Sequence, residues 1–202
     1  MTTTDIESFY DNGRKAGALV RKVADGSMQT TLVFEAAAGP VVNLFQETRF
    51  AAVAEDWSAY RYVDHLDGSV ADVQSESLLQ RPDHPQNPIP SYAAHLVLRD
   101  FLATGAPRTE FSQFNETDPS VASAAAFVRL GPEQVETPWG PTEAVRVVLE
   151  IDGREGNIFW CAHGSVVKSD WQGATSYATD DVDFLMQGLA PEVQAILKAT
   201  LA

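Results

Sequence analysis

Residues 135–178 write a chain of β-hairpins with the turns nearly spelled out. At the odd positions Val145, Val147, Leu149 and Ile151 are apolar, after Glu143, while Thr142, Arg146 and Glu150 at even positions are polar. A period of two puts alternate side chains on opposite faces, one of them in a core. Asp152-Gly153 supplies residues that tolerate the positive φ of a tight hairpin turn. A strand over 157–162 follows with Phe159 and Trp160, and His163-Gly164 turns the chain again before a strand over 166–171.

The pattern extends toward the N-terminus. Residues 1–80 read as a β-meander with strands over 16–23, 28–36, 41–53, 57–66 and 69–79. Asp25-Gly26, Gly39-Pro40 and Asp67-Gly68 mark its turns. The texture changes at 81–91, where four prolines in RPDHPQNPIPS bar both a central strand and a helix. Beyond them Ala93, Leu96, Val97 and Phe101 fall at helical spacing, with Ser91 placed to cap and Gly105 to stop. This predicts one helix over 92–103, in an inserted segment 91–104, about three turns long. Strands resume over 108–178 as a second meander. In the tail, 180–202, Asp180 and Asp181 suit a helix N-terminus. Pro191 suits a first helical position ahead of an apolar stripe of Val193, Ile196, Leu197 and Leu201. The predicted class is mainly antiparallel β (α+β), a single domain over 1–202.

Composition narrows the partners. With 14 basic against 28 acidic residues the net charge is −14, which opposes nucleic-acid binding, since that relies on neutralising phosphates. It equally opposes anionic membrane surfaces, and no apolar run reaches the length of a membrane span. The first residues, MTTTDIESFY, lack the basic and apolar regions of a secretory leader, so a cytoplasmic location is expected. The single cysteine, Cys161, excludes an intramolecular disulfide and a multi-cysteine zinc site. In an apolar strand it is expected to pack as a small hydrophobe.

Catalytic signatures are sparse. The glycine-rich phosphate loops, the G-x-S-x-G elbow and the H-E-x-x-H metal motif are all missing. Asp180, Asp181 and Asp183 lack the glycine and terminal glutamate of a calcium loop. The histidines are His65, His84, His95 and His163, none locally paired for metal binding, and neither metal nor cofactor is expected. His95 stands out, because His95, Arg99 and Leu102 share one helical stripe at i, i+4 and i+7. Facing a sheet, that stripe would bring a cation into an apolar space, where it needs a partner such as Glu47 or Asp64. Facing outward, it is simply the wet side of the helix. Tyr60 and Tyr62 share one strand face and Trp57 the other, while Trp160, Trp171 and Tyr177 come from the second meander. Such aromatics fill a core or line a pocket.

Pro90-Ser91-Tyr92 opens the helix that carries Leu98-Arg99-Asp100. Gly131, Glu133 and the VETPWG run over 135–140 follow, then the strand beginning at Ala144, Phe159-Trp160, and Val166-Val167-Lys168-Ser169. In this order, over 88–177, the chain resembles an uncharacterised bacterial family of β-clam domains (domain of unknown function 3108-like), fold-related to periplasmic lipoprotein carriers. Members of that family are largely exported, a point from which this chain departs by its missing leader. The resemblance implies a β-clam or half-barrel, a curved antiparallel sheet half-wrapped around one helix with an apolar space between them.

The expectation that follows is an internal cavity for an apolar or amphipathic small molecule. Tyr60, Tyr62, Trp160 and Trp171 are its candidate ligand-binding residues, and His95 and Arg99 its candidate catalytic groups. Shape selection can fold a flexible, natural-product-type substrate for reaction, so an enzyme here would be a cofactor-independent cyclase or isomerase. The alternative is a non-catalytic structural or protein-interaction module, whose mark would be a contiguous exposed apolar patch. Oligomeric state is not legible.

Overall fold

A computed structural model of the protein describes residues 2–37, 39–79 and 87–202. The first meander comprises β1 (Thr3–Asp11), β2 (Arg14–Ala24), β3 (Ser27–Glu35), β4 (Val41–Phe50), β5 (Trp57–Asp64) and β6 (Val70–Gln74). A short helix α1 (Ser75–Leu79) follows, then β7 (Ile89–Pro90) and a 3-10 turn Ser91–Ala93 that runs into α2 (Ala94–Thr104). The second meander holds β8 (Arg108–Asn115), β9 (Asp118–Thr137), β10 (Gly140–Ile151), β11 (Arg154–Ala162), β12 (Ser165–Asp170) and β13 (Ala174–Ala178). Helices α3 (Val182–Met186) and α4 (Pro191–Leu201) close the chain.

All the described strands belong to one large, open, curved sheet in the order β6-β5-β4-β3-β2-β1-β13-β12-β11-β10-β9-β8-β7. Pairing is antiparallel except for the short β7, which runs parallel to β8. The two meanders meet at β1 and β13, with Glu7 opposite Ala178 and Phe9 opposite Ser176. The ends of the chain therefore meet in mid-sheet, and the middle of the chain carries α2 into the concave side.

Two cores flank the sheet. Inside, Leu96, Val97, Leu98 and Phe101 of α2 pack with Tyr60, Phe114, Phe127 and Phe159. Outside, Ala18, Val20 and Val33 pack against Leu185, Val193 and Leu197 of the C-terminal helices and Leu189 between them. Strand β2 serves both by alternation. Ala18 and Val20 point to the helices, whereas Leu19 and Arg21 point inward. Asp181 caps α3, its Oδ1 accepting the Phe184 N–H at 2.8 Å. Gly17 is required by close approach, because a Cβ there would lie 1.9 Å from the Val33 carbonyl oxygen. The rings of its cross-strand neighbours Phe9 and Phe34 close over it with centroids 4.9 Å apart.

Several expected boundaries shift. Strand β1 escapes the hydrophobic pattern, because Asp5, Glu7 and Phe9 alternate with Ile6, Ser8 and Tyr10, leaving polar groups on both faces. Its turn is nonetheless written in Asn12-Gly13, with φ of 49° and 77°, a two-residue hairpin signal. The expected strand over 69–79 ends at Gln74 and continues as α1. At Asp67-Gly68 only Gly68 takes positive φ, and β5 and β6 are joined through residues 65–69. Strand β9 runs unbroken through Gly131, where its register against β10 shifts opposite Arg146 and Val147 and Gly131 takes φ 147°. Within the proline-rich segment, residues 81–86, His84 among them, lie outside the described residues.

Candidate functional site

A cavity of about 810 Å³ lies on the concave side between the sheet and α2, within the range of small-molecule sites. Phe9, Leu19, Phe34, Phe114, Phe127 and Phe159 make much of its wall, and the exposed Asn115, Asp118 and Val121 mark a rim. The helix presents Ser91, Ala94, His95 and Leu98 to this space, positions i, i+3, i+4 and i+7 of one stripe.

That stripe corrects the expected one. Arg99 falls past its edge and is exposed to solvent, outside the cavity wall. The reason is the phase of the helix, since Leu96, Val97 and Phe101 already occupy its packed sides. His95 does face the cavity, with a side chain only 9% exposed, and its partner is Asp5 rather than Glu47 or Asp64. Its Nε2 lies 3.2 Å from Asp5 Oδ2. Burial, helped by the charge of Arg21, holds the imidazole below its ordinary pKa. The His95 hydrogen bond holds the Asp5 carboxyl below the usual range against its partial burial. A neutral ring beside an ionised carboxylate must put its proton on Nε2, because a carboxylate only accepts.

Trp171 also lines the cavity. Tyr60 and Tyr62, 1% and 7% exposed, belong to the interior core on the first-meander side and stand outside the cavity wall. Tyr60 packs edge-on against Phe114 with ring centroids 5.7 Å apart. Trp160 is on the other face, because Phe159 and Cys161 take the inward positions of β11. Its indole N–H donates to Glu133, and Lys168 Nζ sits 4.7 Å from its ring centroid.

Two polar centres in or behind the wall were not foreseen. At the seam of the two meanders, Arg21 of β2 pairs with Glu7 of β1, their side chains 5% and 4% exposed. Ser176 Oγ also donates to Glu7, as does Ser169 Oγ at 3.2 Å, and Trp171 Nε1 donates to Ser176 Oγ at 2.9 Å. Burial opposes the charge of Glu7, yet Arg21 and Ser176 together hold its carboxyl below the ordinary value. Arg21 reaches the cavity, and its Nε is buried with no hydrogen-bond partner among the described residues. The signal for Arg21 was a lone charge at the inward parity of an apolar strand, between Leu19 and Val23.

The second centre is Glu116, 7% exposed, in the turn between β8 and β9. Ser91 Oγ donates to its Oε1. Burial pushes the carboxyl up to about 7, with hydrogen bonds from the backbone opposing. Gln113 lines the same cavity, and its Oε1 is buried without a partner among the described residues. No apolar pattern marks either residue, since Gln113 is a polar position within β8 opposite Ser123 and Glu116 lies in the turn that follows.

Cys161 is 4% exposed, and burial pushes its thiol up to about 12. Alkylation of the folded protein is expected to be far slower than that of the unfolded chain. Rapid stoichiometric labelling by iodoacetamide at pH 8 would contradict this placement.

Among the described residues no group of three or more His, Cys, Asp and Glu side chains is arranged to hold a metal ion, and no helix is long and apolar enough to cross a membrane. No family model matches the chain, and no curated protein matches it. Among solved structures it is similar to a crystal structure of a β-barrel-like protein of domain of unknown function DUF1849 from Brucella abortus. The identity is 11%, covering 87% of this chain and 95% of that one, at a TM-score of 0.48. That domain is not the one expected from the sequence.

Proposed function

We propose that the protein binds an apolar or amphipathic small molecule in the cavity between its sheet and α2. The observation that carries this is the space itself, about 810 Å³ with aromatic and aliphatic walls and a few converging polar groups. Such a site suits one ligand of drug or lipid-fragment size. Arg21 Nε and Gln113 Oε1, a buried donor and a buried acceptor, are where polar atoms of that ligand would be held. The β-clam resemblance and a cytoplasmic location belong to the same reading.

A catalytic reading has one specific support. A neutral His95 and a Glu116 that titrates near 7 border one apolar space, so proton transfer to a bound flexible substrate is chemically available. Cyclisation or isomerisation would then rest on His95 and Glu116. Arg99 stays in solvent, clear of the reacting centre.

Native mass spectrometry of freshly purified protein tests the binding reading. A co-purified small molecule is the expected result, displaced by a lipophilic fluorescent probe that binds with micromolar affinity. Burying one ring of such a probe contributes about 1.5–3 kcal/mol, so the melting temperature should rise with probe concentration. Protein that neither carries a ligand nor takes up any probe would favour the structural or interaction module instead.

A further inference from the structure

The polar end of the cavity at Glu116 holds a buried carboxyl. It receives hydrogen bonds from Ser91 and from the backbone N–H groups of Glu116 and Tyr92 but meets no counter-charge among the described residues. Its carboxyl forms no ion pair with any described residue, and the hydroxyl of Ser91 is its side-chain donor. Gln113 lines the same cavity and adds a side-chain carbonyl oxygen that is buried without a partner among the described residues. A buried carboxylate without a counter-ion is unfavourable, and a ligand can supply what the fold does not.

The other charges decide what kind of ligand. Arg21 is the guanidinium in the wall, and Glu7 already balances it. His95 is neutral, its Nε2–H directed at Asp5. Asp118 stands at the rim, and the chain as a whole carries −14. An anionic head group would thus enter a space with no unbalanced cation among the described residues. A primary ammonium brings one positive charge and three donors, and the rings of Phe114 and Tyr92 in the same wall offer faces that attract a cation.

Resting on the small-molecule reading above, we infer that the cavity selects an amphipathic amine. Its ammonium head is seated on Glu116 and Gln113, and its apolar body lies against Phe127, Leu149 and Phe159.

Ionisation around the head site gives this a pH signature. Tyr60 and Tyr62 of β5 and Tyr92 before α2 face Glu116, and burial together with that carboxyl raises all three phenols. His95 and Arg21 complete the surroundings, one neutral and one permanently charged. Between pH 6 and 8 the group that changes charge is Glu116 itself. Affinity for an alkylamine should therefore rise across that range, while affinity for an alcohol of equal length stays level.

The test compares dodecylamine, dodecanol and dodecanoate, each below its micellar concentration, by calorimetry at pH 6 and 8 on the wild type and Glu116→Gln. At pH 8 the amine should bind about tenfold tighter than the other two, and lose most of that advantage at pH 6. Glu116→Gln should remove the preference and its pH dependence, so that it binds the amine and dodecanol alike at both pH values. Dodecanoate binding as tightly as the amine, or an amine preference that survives in Glu116→Gln, overturns the inference but leaves the cavity reading standing. Binding of none of the three overturns both.

Discussion

Arg21→Met is expected to destabilise the protein by about 3–5 kcal/mol, the range for removing one partner of a buried ion pair. The loss is large because Glu7 stays behind, 4% exposed at its side chain, its carboxylate left to the hydroxyls of Ser169 and Ser176. It also falls at the join of the two meanders, where Glu7 and Arg21 on one side meet Ser169 and Ser176 on the other. Neutralising the orphan should restore most of the stability, so the pair Glu7→Gln with Arg21→Met is expected to recover at least half of the deficit. The amide that Glu7→Gln introduces keeps a carbonyl oxygen able to accept from Ser176.

Acid sharpens the comparison. The folded pKa of Glu7 is lowered, so its contribution is present above the unfolded value and lost as pH falls through the folded one. In Arg21→Met the same carboxyl, buried without its cation, favours protonation. The gap between wild type and variant should then narrow below about pH 4.5, the ordinary glutamate range. Urea unfolding at pH 7 and pH 4 measures both effects. A single variant as stable as the wild type at pH 7 would remove the ion pair from the account of the seam.

The hairpins of the second meander were legible because positive-φ turn residues and β-branched alternation agree there. Asp152-Gly153 and His163-Gly164 adopt the left-handed conformations their types suggest. The inserted helix was legible as an element but not in its phase. Apolar spacing marks the sides that pack, and the side facing a cavity mixes Ser91, Ala94, His95 and Leu98, which no periodicity separates from a wet face. The seam was hidden for a related reason. Its inward residues are charged or small, and hydrophobic patterning assigns such residues to solvent. Glu7 meets Ser169 and Ser176 across 162 and 169 residues of chain, and only the pairing of β1 with β13 brings them together. Aromatic content pointed to a lined cavity, yet Tyr60 and Trp160 are placed by strand parity and packing rather than by ring chemistry. Phenylalanines of β8, β9 and β11 form the wall instead.

Glu116→Gln is expected to stabilise the ligand-free protein by about 3 kcal/mol at pH 8 and to leave it unchanged at pH 4. The folded carboxyl titrates near 7, above its unfolded value of 4.5, because it is buried. A raised folded value means that the stability it contributes is fully present below 4.5 and is lost as pH rises through 7. The amide has no such loss and can still accept from Ser91 through its carbonyl oxygen. Thermal unfolding across pH 4 to 8 should show the two proteins coinciding in acid and diverging toward neutrality, and parallel profiles would contradict the placement of Glu116. Saturating dodecylamine should stabilise both proteins but narrow the gap at pH 8 by about 1.4 kcal/mol, the equivalent of the tenfold tighter binding expected of the carboxylate. A gap that narrows with the amine and not with dodecanol identifies Glu116 as the group that meets the head, and one that dodecylamine leaves unchanged identifies it as a strained core carboxyl.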